Sequence, residues 1–225
     1  MTGSRGEPTG AEGGRAGRAN LSCMAATQVS PHEPTRPLTD EEWIELDEDE
    51  PGELVDGVLV EEEMPDFVHE VVVAFFVRVI GVWLETRGGF VVGSDVKYLL
   101  RKGRGRKPDV SVYLPGGRKP ARRGAVRVPP DIAIEVISPR PRDVRRDRIE
   151  KTDDYAAFGV RWYWIVDPEA RALEIFQRND DGRYVRVLSA AAGRVDDVPG
   201  CAGLGVDLDA LWAKVDELPE GDESE

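Results

Sequence analysis

Two carboxylates occupy stretches otherwise suited to a hydrophobic core. Asp109 lies in Lys107-Pro108-Asp109-Val110-Ser111-Val112-Tyr113, and Glu135 in Pro130-Asp131-Ile132-Ala133-Ile134-Glu135-Val136-Ile137-Ser138-Pro139. Burying an ionised acid among β-branched residues is costly unless it is paired or binds a metal. A lysine, Lys151, follows in Arg148-Ile149-Glu150-Lys151. Two carboxylates with a lysine nearby make a hard-oxygen site suited to magnesium or manganese. A bound metal lowers the pKa of a water and stabilises charge on a phosphoryl oxygen, while the lysine positions that water or neutralises developing charge. Each residue also has a plainer reading. Asp109 caps a turn after Pro108, Glu135 pairs with a buried arginine, and Lys151 is a surface partner of Asp147, four residues before it.

The elements that must position these groups follow from pattern. Ile132 to Ile137 reads as a strand apolar on both faces except at Glu135, and therefore central. Asp109 to Leu114, with Pro108 before it, reads as another strand. A helix over Arg142 to Phe158, capped by Ser138 or Asp143 and ended by Gly159, carries Lys151 and Tyr155 on one face. It leads to a strand over Arg161 to Val166, whose Trp162, Tyr163 and Trp164 read as core packing rather than a base-stacking platform. The strand–helix–strand unit favours parallel pairing of its two strands. The Asp109 strand is expected antiparallel beside the Glu135 strand, so that both acids project to one spot.

Upstream, Thr39 and Glu42 form the pattern of a capping box at a helix start, and Asp56-Gly57 between apolar runs signals a hairpin. Phe67 to Thr86 has the apolar spacing of a long helix. His69 and Glu70 sit in its first turn, either facing the cavity of Asp109 or, for Glu70, simply complementing the helix N-terminus. Phe90 to Leu100 reads as one bent strand or two, Arg101 to Arg106 as a basic turn, and Pro115 to Pro129 as a basic loop. Ala172 to Gln177 and Tyr184 to Leu188 read as strands, and Leu208 to Ala213 as a final helix. Residues 1–37 are Gly-, Pro-, Ser-, Thr- and Arg-rich and read as a disordered tail, with Met24 an alternative start of translation. The domain is expected over 38–216 and an acidic mobile tail over 217–225.

The 225-residue length allows one domain with a real core. No apolar run is expected to reach the roughly 20 residues of a membrane span, and the N-terminus lacks a secretory pattern. Two distant cysteines, Cys23 and Cys201, make neither a disulfide framework nor a zinc site; the expected compartment is the cytoplasm. Two histidines, His32 and His69, exclude a histidine-rich metal site. A net charge of −13 opposes a nucleic-acid partner for the chain as a whole. The charge is segregated, however: residues 40–70 hold fifteen Asp/Glu and no Lys or Arg, and residues 101–127 hold ten Lys/Arg and one acid. A basic face, or a set of solvated loops, is consistent with that pattern.

Pro108-Asp109, Glu135-Val136-Ile137-Ser138-Pro139, Lys151, Tyr155, Gly159-Val160 and Tyr163-Trp164-Ile165-Val166-Asp167-Pro168, in this order, resemble the Uma2 family, restriction-endonuclease-like proteins within the PD-(D/E)xK nuclease superfamily. The resemblance extends to Glu53 and the Asp56-Gly57 hairpin. It implies an α/β fold of the α+β kind, a restriction-endonuclease-like mixed sheet flanked by helices with an N-terminal β-hairpin. It further implies a metal-dependent endonuclease that hydrolyses DNA phosphodiester bonds, with Asp109 and Glu135 as ligands of Mg2+ or Mn2+, and a homodimer as its assembly. One departure matters: Ile137 stands where the superfamily carries its lysine. Lys151 on the following helix would take that place, with Lys97 and Lys107 as rivals and Lys107 also placed to contact phosphate. The superfamily's early-helix acid maps to Glu70, or His69 replaces it. The alternative is a catalytically inactive module that binds nucleic acid or a protein partner, which net acidity favours because DNA affinity rests on phosphate neutralisation.

Overall fold

The computed structural model describes residues 36–46, 52–60, 65–138 and 145–219. The expected N-terminal tail lies outside them up to residue 35, and the expected acidic tail from residue 220. The capping signals of Ser138 and Asp143 cannot both be placed, since Asp143 also lies outside.

Helix α1, Asp40–Glu45, starts at the Thr39–Glu42 capping box. Strands β1, Glu53–Val55, and β2, Val58–Val60, form the hairpin. Asp56 and Gly57 both have positive φ, 51° and 81°, as a two-residue turn of the I′ kind requires. Helix α2, Phe67–Glu85, is capped by Asp66, whose carboxylate accepts from the His69 N–H. Then follow β3 (Phe90–Val92), β4 (Tyr98–Arg101), β5 (Arg104–Arg106), β6 (Val110–Tyr113) and β7 (Ile132–Val136). A π-helical turn, Arg146–Glu150, runs into helix α3, Lys151–Phe158, which ends at left-handed Gly159 (φ 98°). Strands β8 (Trp162–Asp167), β9 (Ala172–Arg178), β10 (Tyr184–Ala190), β11 (Arg194–Val195) and β12 (Val206–Asp207) precede helix α4, Leu208–Asp216.

Six strands form the main sheet in the order β10-β9-β8-β7-β6-β3. All its pairs are antiparallel except β7–β8, which is parallel, as the crossover through α3 demands. A second sheet has the order β2-β1-β5-β4. One open alternative is resolved here and one expectation is corrected. The stretch Phe90 to Leu100 divides between the two sheets, β3 in one and β4 in the other. The basic turn shrinks to Lys102-Gly103, because Arg104–Arg106 pairs with β1 as a strand.

Side chains alternate across a strand, and that alternation sorts the core. Ile132, Ile134 and Val136 of β7 join Trp162, Trp164 and Val166 of β8 on the face covered by Val72, Phe76 and Ile80 of α2 and Leu211 of α4. Ala133, Tyr163 and Ile165 lie on the other face with Tyr155 of α3. Trp162, Tyr163 and Trp164 are thus core, as expected. Burying side chains such as Phe76 and Ile80 contributes roughly 1.5–3 kcal/mol each, which holds a Val-rich helix of modest propensity. A correction concerns α2: at 19 residues with a mean hydropathy of 2.0 it is long and apolar enough to cross a membrane by length and composition. Its inner face packs instead against the sheet.

Candidate active site

The same alternation sets the site. Glu135 shares its parity with Ala133, so it faces α3 rather than α2. The β6–β7 register pairs Val110 with Ile134; one step further, Asp109 stands opposite Glu135. Asp109 Oδ2 accepts the Val136 N–H at 2.7 Å, which locks the end of β6 to the end of β7. Both acids line one cavity of about 120 Å³, together with His69, Lys107, Asp147 and Lys151.

Lys151 opens α3 and points into this cavity, buried to 3% exposure. Its Nζ donates to Glu135 Oε2 at 2.8 Å and lies 3.2 Å from Asp147 Oδ1 and 3.6 Å from Glu53 Oε1. The reading of Lys151 as a surface partner of Asp147 is corrected: the pair exists, but both members are buried. The π turn sets the phase of α3, and π turns recur where a helix must aim functional side chains. Tyr163 anchors that turn by donating to the Asp147 carbonyl (2.9 Å). Tyr155, one turn beyond Lys151, donates to Glu135 Oε1 at 2.5 Å.

The electrostatics follow from counting charges around one ammonium. Glu135, Asp147 and Glu53 all face Lys151. Glu53 has a second cation, Arg106 (Nη1 to Oε2, 2.5 Å), and accepts the Lys107 backbone N–H (3.0 Å). Its carboxyl is therefore held below the usual range although burial pushes it up. Glu135 has no such surplus. Burial pushes its carboxyl well above the usual range, and the neighbouring Asp109, Asp147 and Glu53 carboxylates add to that against the pull of Lys151. Asp147 is raised too, by burial and by Asp109 and Glu53. Asp109 is lowered: burial opposes this, but His69, Lys151 and the Val136 N–H outweigh it.

The donor set fits a divalent cation. Asp109 and Glu135 supply hard oxygens on one wall, and Asp95, Asp109, Glu135 and Asp147 line the cavity against the cations Lys107, Arg146 and Lys151. Asp147 Oδ1 is buried without a hydrogen bond but faces Lys151 Nζ at 3.2 Å and Arg146 Nε at 3.6 Å, so its charge is shared between these two cations. Among the described residues no three His, Cys, Asp or Glu side chains already stand as a ligating cluster. The protein thus offers two carboxylates, and backbone or water oxygens would complete a shell.

The remaining sequence candidates separate. His69 lines the cavity, with Nε2 3.2 Å from Asp109 Oδ2 and Nδ1 3.3 Å from Glu70 Oε1. Burial disfavours its charged form, but the Asp109 and Glu70 carboxylates outweigh this and raise its pKa. Glu70 is half-exposed, supports His69 and does not line the cavity. Lys107 lines it, with Nζ 3.0 Å from Asp95 Oδ1. Lys97 does not: its ammonium donates to the Trp43, Ile44 and Leu46 carbonyls at the end of α1, where helix dipole and orphan carbonyls favour a cation. The buried arginine expected as a partner for Glu135 is present as Arg106, but it pairs with Glu53 and Asp154.

Sequence reasoning gave no role to Glu53 or Arg106. Glu53 carried the signal used for Asp109, an acid at the head of an apolar strand. Arg106 was hidden in a basic run that reads as solvated.

With this geometry in hand, comparison with known proteins is direct. The Uma2 family, described as "Putative restriction endonuclease", matches residues 40–209. The chain belongs to the Uma2 family. A solved structure described as a putative nuclease belonging to DUF820 from Anabaena variabilis is similar in fold, with a TM-score of 0.63 at 17% identity, over 79% of this chain and 98% of that one. No match was found among curated proteins.

Proposed function

We propose that this protein is a metal-dependent endonuclease that hydrolyses phosphodiester bonds in DNA. The observation that carries this reading is the convergence on one cavity of Asp109, just before β6, Glu135 of β7 and Lys151 of α3. Asp109 and Glu135 would hold Mg2+ or Mn2+, which when bound supplies Lewis acidity and an activated water. Asp109 is oriented for this by the Val136 N–H and His69, and Glu135 by Tyr155 and Lys151. Lys151 stands ready to orient the attacking water or offset charge on the phosphoryl oxygens. His69 holds Asp109 through Nε2, and Lys107 offers a cation at the cavity wall for a neighbouring phosphate.

The test is cleavage of supercoiled, linear and single-stranded DNA by purified protein with Mg2+ or Mn2+. Asp109→Ala and Glu135→Ala are expected to abolish cleavage, and Lys151→Gln to lower kcat by about 10²–10³-fold. Failure of the wild type to cut any of these forms would sink the proposal. Salt-sensitive DNA binding without cutting would leave a nuclease-fold module that binds nucleic acid.

A further inference from the structure

Behind the cavity wall, the second sheet brings one group against Lys151 that the acid–acid–lysine reading does not use. Glu53, at the head of β1, is 0% exposed. Its Oε1 accepts the backbone N–H of Lys107, two residues before Asp109, and lies 3.6 Å from Lys151 Nζ. Its Oε2 meets Arg106 Nη1. Fully buried Arg106 reaches on to Asp154, which Arg104 also grips at 2.8 Å. Asp154 lies on α3 between Lys151 and Tyr155. A single carboxylate therefore bonds the segment that leads into Asp109 and pairs with the lysine that faces Glu135.

We infer that Glu53 is a positioning residue of the active site: it fixes the Lys107–Asp109 backbone and the Lys151 ammonium relative to one another, so that the β1–β2 hairpin is part of the catalytic apparatus. Two features set this role apart from plain structural pairing. A buried ion pair by itself is a weak source of stability, and Arg106 already has Asp154 as a partner. What Glu53 alone does, among the described contacts, is join the Lys107 N–H to the approach of Lys151. Displacing reacting groups by as little as 1 Å costs about 10²-fold in rate.

The inference rests on the nuclease reading for its kinetic arm and on geometry alone for its structural arm. Glu53→Gln keeps an acceptor for the Lys107 N–H and removes the charge that faces Lys151. The expected result is a kcat lower by about 10²-fold with the KM for DNA within twofold of wild type. Asp154→Asn is the control: it loosens Arg106 but leaves both Glu53 contacts, and its kcat should stay within threefold while its Tm falls. If Glu53→Gln does not fold, the double variant Glu53→Met with Arg106→Met replaces the pair by apolar groups of similar reach and should show the same kcat loss. Equal kcat losses in Asp154→Asn and Glu53→Gln, or a Glu53→Gln kcat within threefold of wild type, would overturn the inference. A wild type that cuts no DNA would defeat the nuclease reading, and the crystal structure of Glu53→Gln then decides: Lys151 Nζ moved from Glu135 by more than about 1 Å supports the role, and unmoved Lys151 and Lys107 refute it.

Discussion

Glu135 shares one ammonium with two other carboxylates, and Tyr155 is the neutral donor that completes its surroundings. Removing that donor leaves a buried acid less able to ionise. If Asp109 and Glu135 hold a metal as proposed, Tyr155→Phe should weaken Mn2+ binding by about 10–100-fold, read by calorimetry on the full chain, with little change in fold because the ring remains. A second residue-scale expectation concerns Glu42. Its carboxyl is lowered to about 2 from an ordinary 4.5, first by the Arg36 guanidinium and then by the Thr39 N–H. A folded-state pKa below the unfolded one gives a contribution present above the ordinary value and lost as pH falls through about 2. An NMR titration of Glu42 should show that low midpoint, and Arg36→Ala should move it upward. Because the pair is exposed, global stability should change little.

At the scale of elements, the second sheet is joined to α3 by charge and to α1 by close packing. Arg106→Ala removes the cation shared by buried Glu53 and Asp154, which keep Lys151 and Arg104 as partners, and loss of up to about 3 kcal/mol in urea unfolding is expected. Gly105 lies under the Trp43 ring, where an added Cβ would come within 2.3 Å of ring carbons. Gly105→Ala should cost about 1–3 kcal/mol by overpacking. Much of this level was legible in sequence. The Asp-Gly turn, the capping box and the strand–helix–strand unit around Glu135 are local signals, and local signals fix local structure. The antiparallel placement of Asp109 beside Glu135 followed from treating each acid as a defect in an apolar strand. The division of Phe90 to Leu100 between two sheets was not legible, because three- and four-residue strands leave no periodicity to read. Nor was the strand character of Arg104–Arg106, since charge suggested solvent and only the distant partners Glu53 and Asp154 make burial tolerable. The role of Asp147 needed the π turn, which shifts helical phase in a way spacing by four does not reveal.

For the whole molecule, the net charge of −13 conceals a group of exposed cations at Arg118, Lys119, Arg122 and Arg123. If these meet phosphates, replacing them together by serine should flatten the dependence of log K on log salt by about 0.9 per lost contact, measured by anisotropy with a duplex and Ca2+ in place of Mg2+. An unchanged slope would place the DNA elsewhere on the surface. The contact between Glu53 and Lys151 also has a temporal side. These residues are 98 positions apart in the chain (151 − 53), and β7 receives its parallel neighbour β8 only after α3. Contacts this distant form late, because chain closure must come before their reward. During synthesis the two acids therefore emerge before the lysine and before strands β8 to β10 that complete the main sheet. A chain able to cut DNA would stay inert until nearly the whole domain has left the ribosome, and refolding followed by pulsed hydrogen exchange should find the Lys107 amide protected after those of β7.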